Sequence, residues 1–134
     1  MRRAAIIRSD IYIARQQWDE AIAEFRGFGM RVGTPLAKAL LGRALGLSGR
    51  HEDEAEARQI LGDLIARRSR RSIGAYGPAI VHAGLGEYDQ AFKLFHESVD
   101  DHSIRLEVMG PAYDRLHADP RFAGIKRALR IQNP

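Results

Sequence analysis

The chain has 134 residues, 45% of them hydrophobic and 28% charged. That length suits one compact domain or one short repeat array, with roughly two thirds of the unfolded surface buried. No apolar run approaches the ~18 residues of a membrane span, and the basic start lacks a continuous apolar stretch and a cleavage site. The absence of cysteine excludes disulfides and thiolate metal sites and fits a cytoplasmic protein. Lys plus Arg number 21 against 17 Asp plus Glu, a net charge of +4, and Lys38, Lys93 and Lys126 are the only lysines. An Ala-, Gly- and Arg-rich composition fits a bacterial source.

A first helix is expected over about Arg3–Arg15, ended by a turn at Gln16–Gln17. The second carries Trp18, Ala21, Phe25 and Phe28 in ARQQWDEAIAEFRGF, a spacing that lies on one face of an α-helix. Gly33–Thr34 breaks the pattern. Thr34 then caps a third helix, Pro35 fits its first turn, and the helix runs to about Leu47. After a turn at Ser48–His51, a fourth helix carries Ala57, Leu61 and Leu64; no aromatic precedes Ala57, and HEDEAEARQIL has about two extra residues. Ser69–Ser72 is a second break. The fifth helix is expected over about Ile73–Leu85, kinked by Pro78 in its first half. A turn at Gly86–Glu87 leads to the sixth, with Tyr88, Ala91, Phe95 and Ser98 on one face. In the tail, Asp119 can cap a helix that starts at Pro120. Phe122, Ile125 and Leu129 share its apolar face, and Lys126, Arg127 and Arg130 suit the negative end of its dipole.

Ala21, Ala57 and Ala91 lie 36 and 34 residues apart, and Tyr12 and His82 hold equivalent places upstream in the first and third units. A helical hairpin cannot cover its own apolar face, and stacked hairpins cover one another, so their core residues recur at a fixed period. The expected fold is all-α: an α-α superhelix of three hairpins, about 2–33, 34–70 and 71–102, closed by a C-terminal capping helix within 103–134.

This pattern resembles the tetratricopeptide repeat (TPR), best over Asp10–Phe28 and Gly84–Ser98. The tail, DDHSIRLEVMGPAYDRLHADPRFAGIKRAL, is similar to the endings of such arrays in bacterial multidomain proteins. Pro111, Tyr113, Asp114, Leu116, Asp119, Pro120, Arg121 and Phe122 carry that similarity, and Ile104 stands where an aromatic is usual. Those arrays are joined to winged-helix regulators, nucleotide cyclases or kinases. The resemblance therefore implies an adaptor, or the regulatory segment of a longer signalling protein.

No feature of the sequence points to catalysis. Gly27, Gly29 and Gly33 follow no strand, and no Gly-x-Ser-x-Gly elbow occurs. His51, His82, His96, His102 and His117 form no i, i+4 pair and no HExxH, so structural or surface roles are expected, with no metal and no cofactor. Arg67, Arg68, Arg70 and Arg71 in ARRSRRS are a candidate patch for phosphate or an acidic partner. The plainer account is that they neutralise a helix C-terminus and a solvated turn. With no aromatics interleaved, single-stranded nucleic acid has no stacking platform there. The aromatic residues read mainly as core, with Phe92 off the stripe and turned to a neighbouring helix.

The TPR resemblance implies a concave groove lined by the first helix of each unit: Ile6, Asp10, Ile13, Ala39, Arg43, Ile73, Tyr76 and Ile80. The chaperone-binding subgroup clamps a carboxylate with Lys and Asn, and here those places hold Ile6, Asp10, Ile73 and Gly77. The expected ligand is instead an extended or helical peptide of a protein partner. A second copy of the chain covering the first helix is the other expectation.

Overall fold

The computed structural model describes residues 2–70, 73–110 and 113–132; of these, the side chains of 2–7, 29–32, 106–107 and 131–132 are left out of the description. The described residues form helices and turns only. The order is α1 (Arg2–Ala14), α2 (Trp18–Val32), α3 (Pro35–Ser48), α4 (His51–Ser69), α5 (Tyr76–Gly84), α6 (Tyr88–Asp100), a 3₁₀ turn (Leu106–Met109), α7 (Asp114–His117) and α8 (Phe122–Gln132).

Local chemistry sets these boundaries. Thr34 adopts an extended backbone and its hydroxyl accepts a hydrogen bond from the Ala37 N–H at 3.2 Å, with Pro35 as first helical residue. Each hairpin turn contains one residue in the left-handed region: Gln16 (φ 58°), Gly49 (φ 71°) and Gly86 (φ 79°). Glycine takes this conformation freely in the second and third turns; in the first, Gln16 takes it with a Cβ in place.

Two expectations about helix starts change. The fifth helix begins at Tyr76, three residues later than expected, because the Ala75 and Tyr76 N–H groups donate to Asp101 and Ser103 instead. Pro78 therefore falls in the first turn, where a missing N–H breaks no intrahelical bond, and the expected kink has no cause. In the tail, Asp119 accepts from the Arg121 N–H at 2.9 Å, and α8 begins at Phe122 instead of Pro120.

Helices α1 and α2, α3 and α4, and α5 and α6 pack as hairpins; α3 also packs on α2 and α5, and α6 on α8. Ala21, Ala57 and Ala91 are fully buried between them, followed in the core by Phe25, Leu61 and Phe95 and then by Phe28, Leu64 and Ser98. Phe92 is buried too, with the Arg121 guanidinium carbon 4.9 Å from its ring centroid, so it faces the start of α8. Helix α8 repeats the stripe once more. Phe122, Ile125 and Leu129 are buried and stand 34 residues after Tyr88, Ala91 and Phe95. The terminal helix thus repeats the residue spacing of the second helices, but it packs directly on α6, with only the four-residue α7 ahead of it.

Ion pairs cross the unit boundaries at matching points. Arg50, just before α4, reaches back to Asp19 in α2 at 2.6 Å; Arg121, just before α8, reaches back to Asp89 in α6 at 2.6 Å. Each arginine also holds a carboxylate of its own unit, Asp53 and Asp119. Arg26–Glu56, Arg58–Glu87 and Arg68–Glu97 bridge further along the second helices.

Helices α3 and α5 touch backbone to backbone. A Cβ on Gly84 would stand 2.5 Å from the Arg43 carbonyl oxygen, and one on Gly46 would stand 2.8 Å from the Gly84 carbonyl carbon. Gly84→Ala should therefore destabilise by about 1–3 kcal/mol, as forced overpacking does. Gly62 lies inside α4 with nothing within 4 Å of its Cβ direction, and Gly62→Ala should stabilise by about 0.5–1 kcal/mol. Urea denaturation of both variants checks the pair; equal effects would mean the close approach is absent.

Candidate functional site

One recess among the described residues lies where the end of α1, the last turns of α3 and α5, and the start of α7 converge. It is an open cleft of about 200 Å³. Ile13, Trp18, Leu47 and Tyr88 give it an apolar wall; Arg43, Asp114 and Arg115 add charge. Arg43 projects from α3 and is 2% exposed, its guanidinium carbon 3.8 Å from the Tyr113 ring centroid. Burial of a guanidinium against an aromatic face is favourable because the ring's negative quadrupole partly replaces lost hydration. Tyr113 and Leu116 are themselves buried, in the same cluster as Ile13.

The expected groove residues do not gather on one open surface. Ile13, Ala39, Arg43, Tyr76 and Ile80 are all buried, Asp10 and Ile73 are half-buried, and the Ile6 side chain lies outside the described residues. Only Ile13 and Arg43 line the cleft. Ala39 is covered because α5 crosses closely: a Cβ on Gly77 would meet the Ala39 methyl at 3.5 Å. Tyr76 turns into its own hairpin, its ring 6.2 Å from that of Phe95. Ile73 lines a separate shallow recess with Ile65, Pro78 and Leu94.

Trp18 and Tyr88 pack against the core, as expected of the aromatic residues, but with one side open. Both are half-buried and stand on the cleft wall. Their equivalence in the repeat was visible in the sequence; their partial exposure was not. Tyr113 and Leu116 were visible as parts of the tail motif, with no sign of what they cover.

The arginine cluster is partly neutralised. Arg67 pairs with Asp63 at 3.2 Å and Arg68 with Glu97 at 3.0 Å, Arg70 follows the end of α4, and Arg71 lies outside the described residues, as does Pro111 of the tail motif. The Lys38 ammonium, hydrogen-bonded to Asp63, holds that carboxyl below its ordinary range, with Arg67 and Arg70 adding to the effect. Two histidines have structural partners. His82 Nδ1 lies 3.0 Å from Glu87, and His117 Nε2 lies 2.8 Å from the Val108 carbonyl, its ring 4.4 Å from Phe122. Among the described residues no cluster of His, Asp, Glu or Cys is placed to hold a metal ion, and no helix is long and apolar enough to cross a membrane.

No protein-family model, no curated protein and no solved structure matches this chain.

The loop after α6 fixes the start of α5. Asp101 accepts from the N–H groups of Ala75 and Ser103, both at 2.9 Å, and the Ser103 hydroxyl accepts from the Tyr76 N–H at 3.1 Å. Partial burial pushes the Asp101 carboxyl up, but hydrogen bonds from Ser103 and Ala75 outweigh it and hold the carboxyl below its ordinary range. A depressed folded value means that this stabilisation is present above the unfolded pKa of about 3.9 and is lost as the pH falls through the folded value. Asp101→Asn should lower Tm at pH 7, and the gap to wild type should narrow steadily below about pH 4. Thermal melts from pH 7 to pH 2 check it; a gap constant with pH would show that the carboxylate charge is irrelevant.

Proposed function

We propose that the chain is a TPR-like superhelix that binds a peptide or protein partner and performs no chemistry of its own. The observation that carries this is the cleft beside Arg43: an apolar wall of Ile13, Trp18, Leu47 and Tyr88 with Arg43 and Arg115 at one side. Half-buried aromatics next to arginine are the composition of interface hot spots. A volume of about 200 Å³ accommodates one or two inserted side chains, not a whole metabolite of drug size. The recurrence of a buried Ala and a large apolar residue in three hairpins, and of the same stripe in α8, supports the repeat architecture.

As a second reading, the array is the regulatory segment of a larger bacterial signalling or transcription-regulating protein. It is favoured by the tail, whose Asp119 and Arg121 join α8 to Asp89 of α6, making the tail motif part of the stack. Binding of nucleic acid or an acidic partner through residues 67–71 is disfavoured by the pairing of Arg67 and Arg68. A cytoplasmic location is part of the proposal. Self-association is a further possibility for α1, where Ile11 is 45% exposed.

Selection of peptides from a random display library on the immobilised chain tests the main reading. The selected peptides should shift the NMR signals of Trp18, Leu47, Tyr88 and Arg115, and Tyr88→Ala should weaken them by about tenfold or more, as loss of a hot-spot aromatic does. Shifts confined to the Arg67–Arg70 end of α4 would transfer the function to the arginine cluster.

A further inference from the structure

Building on the peptide-binding function just proposed, we infer that the stretch Tyr113–His117 is the groove's own ligand, and that a partner displaces it with a segment of the same chemistry. That segment carries an aromatic residue followed three positions later by leucine.

Four observations lead there. First, Tyr113 and Leu116 stand three residues apart across the start of α7, so they share one face, and both are buried. Tyr113 lies over Arg43, and Leu116 lines the same cleft as Ile13, Trp18, Leu47 and Tyr88. This is how a short helical peptide anchors in a groove.

Second, the segment has little structure of its own. Its regular structure is the four-residue α7, tied to the preceding 3₁₀ turn Leu106–Met109 by a hydrogen bond from His117 to the Val108 carbonyl. Much of its order therefore comes from the surface it lies on, a property of regions that open at low free energy.

Third, the fit is incomplete. The cleft of about 200 Å³ remains open beside Leu116 and Arg115. Met109, ahead of the segment, is 38% exposed. A competitor that fills the open volume gains apolar contact that Tyr113 and Leu116 do not make.

Fourth, both ends are anchored elsewhere. Asp101 and Ser103 are bonded to the start of α5, and Arg121 to Asp89 of α6. On this inference the segment lifts from Arg43, giving up the His117–Phe122 ring contact, while Arg121 keeps α8 on α6. A tethered ligand has a high effective concentration, so the resident segment suppresses weak binders and admits only a partner with a better fit.

The test uses the full chain and a synthetic peptide of residues 108–118. Tyr113→Ala empties the place over Arg43. The peptide should bind this variant at least about tenfold more tightly than wild type, and adding Arg43→Gln should remove that gain. Circular dichroism and Tm confirm folding of each variant. Equal binding to wild type and Tyr113→Ala, or binding to neither, overturns the inference. A dimer of the wild-type chain that Tyr113→Ala dissolves overturns the intramolecular arrangement and makes a second copy the occupant.

If Tyr113→Ala does not fold, native-state hydrogen exchange of the wild type decides. The hydrogen-bonded amides of Tyr113, Ala118 and Asp119 should open at lower denaturant than those of α3 and α5; opening only with global unfolding overturns the inference. Library peptides that occupy the cleft without an aromatic residue would sink this inference and leave the proposed function standing.

Discussion

The contact between the backbones of α3 and α5 is the constraint on which the rest of the molecule depends. Gly46 and Gly84 leave no room for a Cβ, and a Cβ on Gly42 would stand 3.0 Å from the Val81 side chain. Glycine inside a helix costs conformational entropy, so its use at such positions reflects close approach. Arg43 sits one residue after Gly42 and three before Gly46, in the part of α3 that lies against α5. Its backbone lies against Gly84, and its guanidinium, 2% exposed, lies 3.8 Å from the centre of the Tyr113 ring.

The units are held in order by a different kind of force. Exposed ion pairs are weak and screened by salt, so Asp19–Arg50 and Asp89–Arg121 contribute little to net stability. Their value is positional. Each joins the first turn of a second helix to the residue preceding the next one but one, and each arginine is fixed by a carboxylate of its own unit, Asp53 or Asp119. The repetition of this arrangement at the tail helps hold α8 against α6. Phe122, Ile125 and Leu129 repeat the spacing of Tyr88, Ala91 and Phe95 one period later, and are likewise packed against the core.

On the proposed repeat reading, so few units leave a groove only a few side chains long, which a single returning segment can cover. Tyr113 and Leu116 lie on that part of the surface, over Arg43 and beside Ile13. On the inference drawn above, tethering makes the cover the default state, and the space left beside Leu47 and Tyr88 makes it an incomplete one. A ligand would then shift the balance only to the degree that it binds the open form better.

The sequence by itself determined the helices and their pairing. Those rest on short-range rules: the i, i+4, i+7 stripes of Ala21, Ala57 and Ala91, the Thr34–Pro35 cap, and the glycines at Gly49 and Gly86. Such signals act within a few residues, so they survive without knowledge of the rest of the chain. Even there, the start of α5 was missed because Asp101 and Ser103, far along the chain, take its first amides. Tertiary structure alone decided which surface stays open. Ile13, Arg43 and Tyr113 are separated by 30 and then 70 residues, and nothing in the spacing of the first two says that the third will return to cover them. Exposure belongs to the assembled surface: it depends on every segment that comes back, whereas periodicity depends only on one helix at a time.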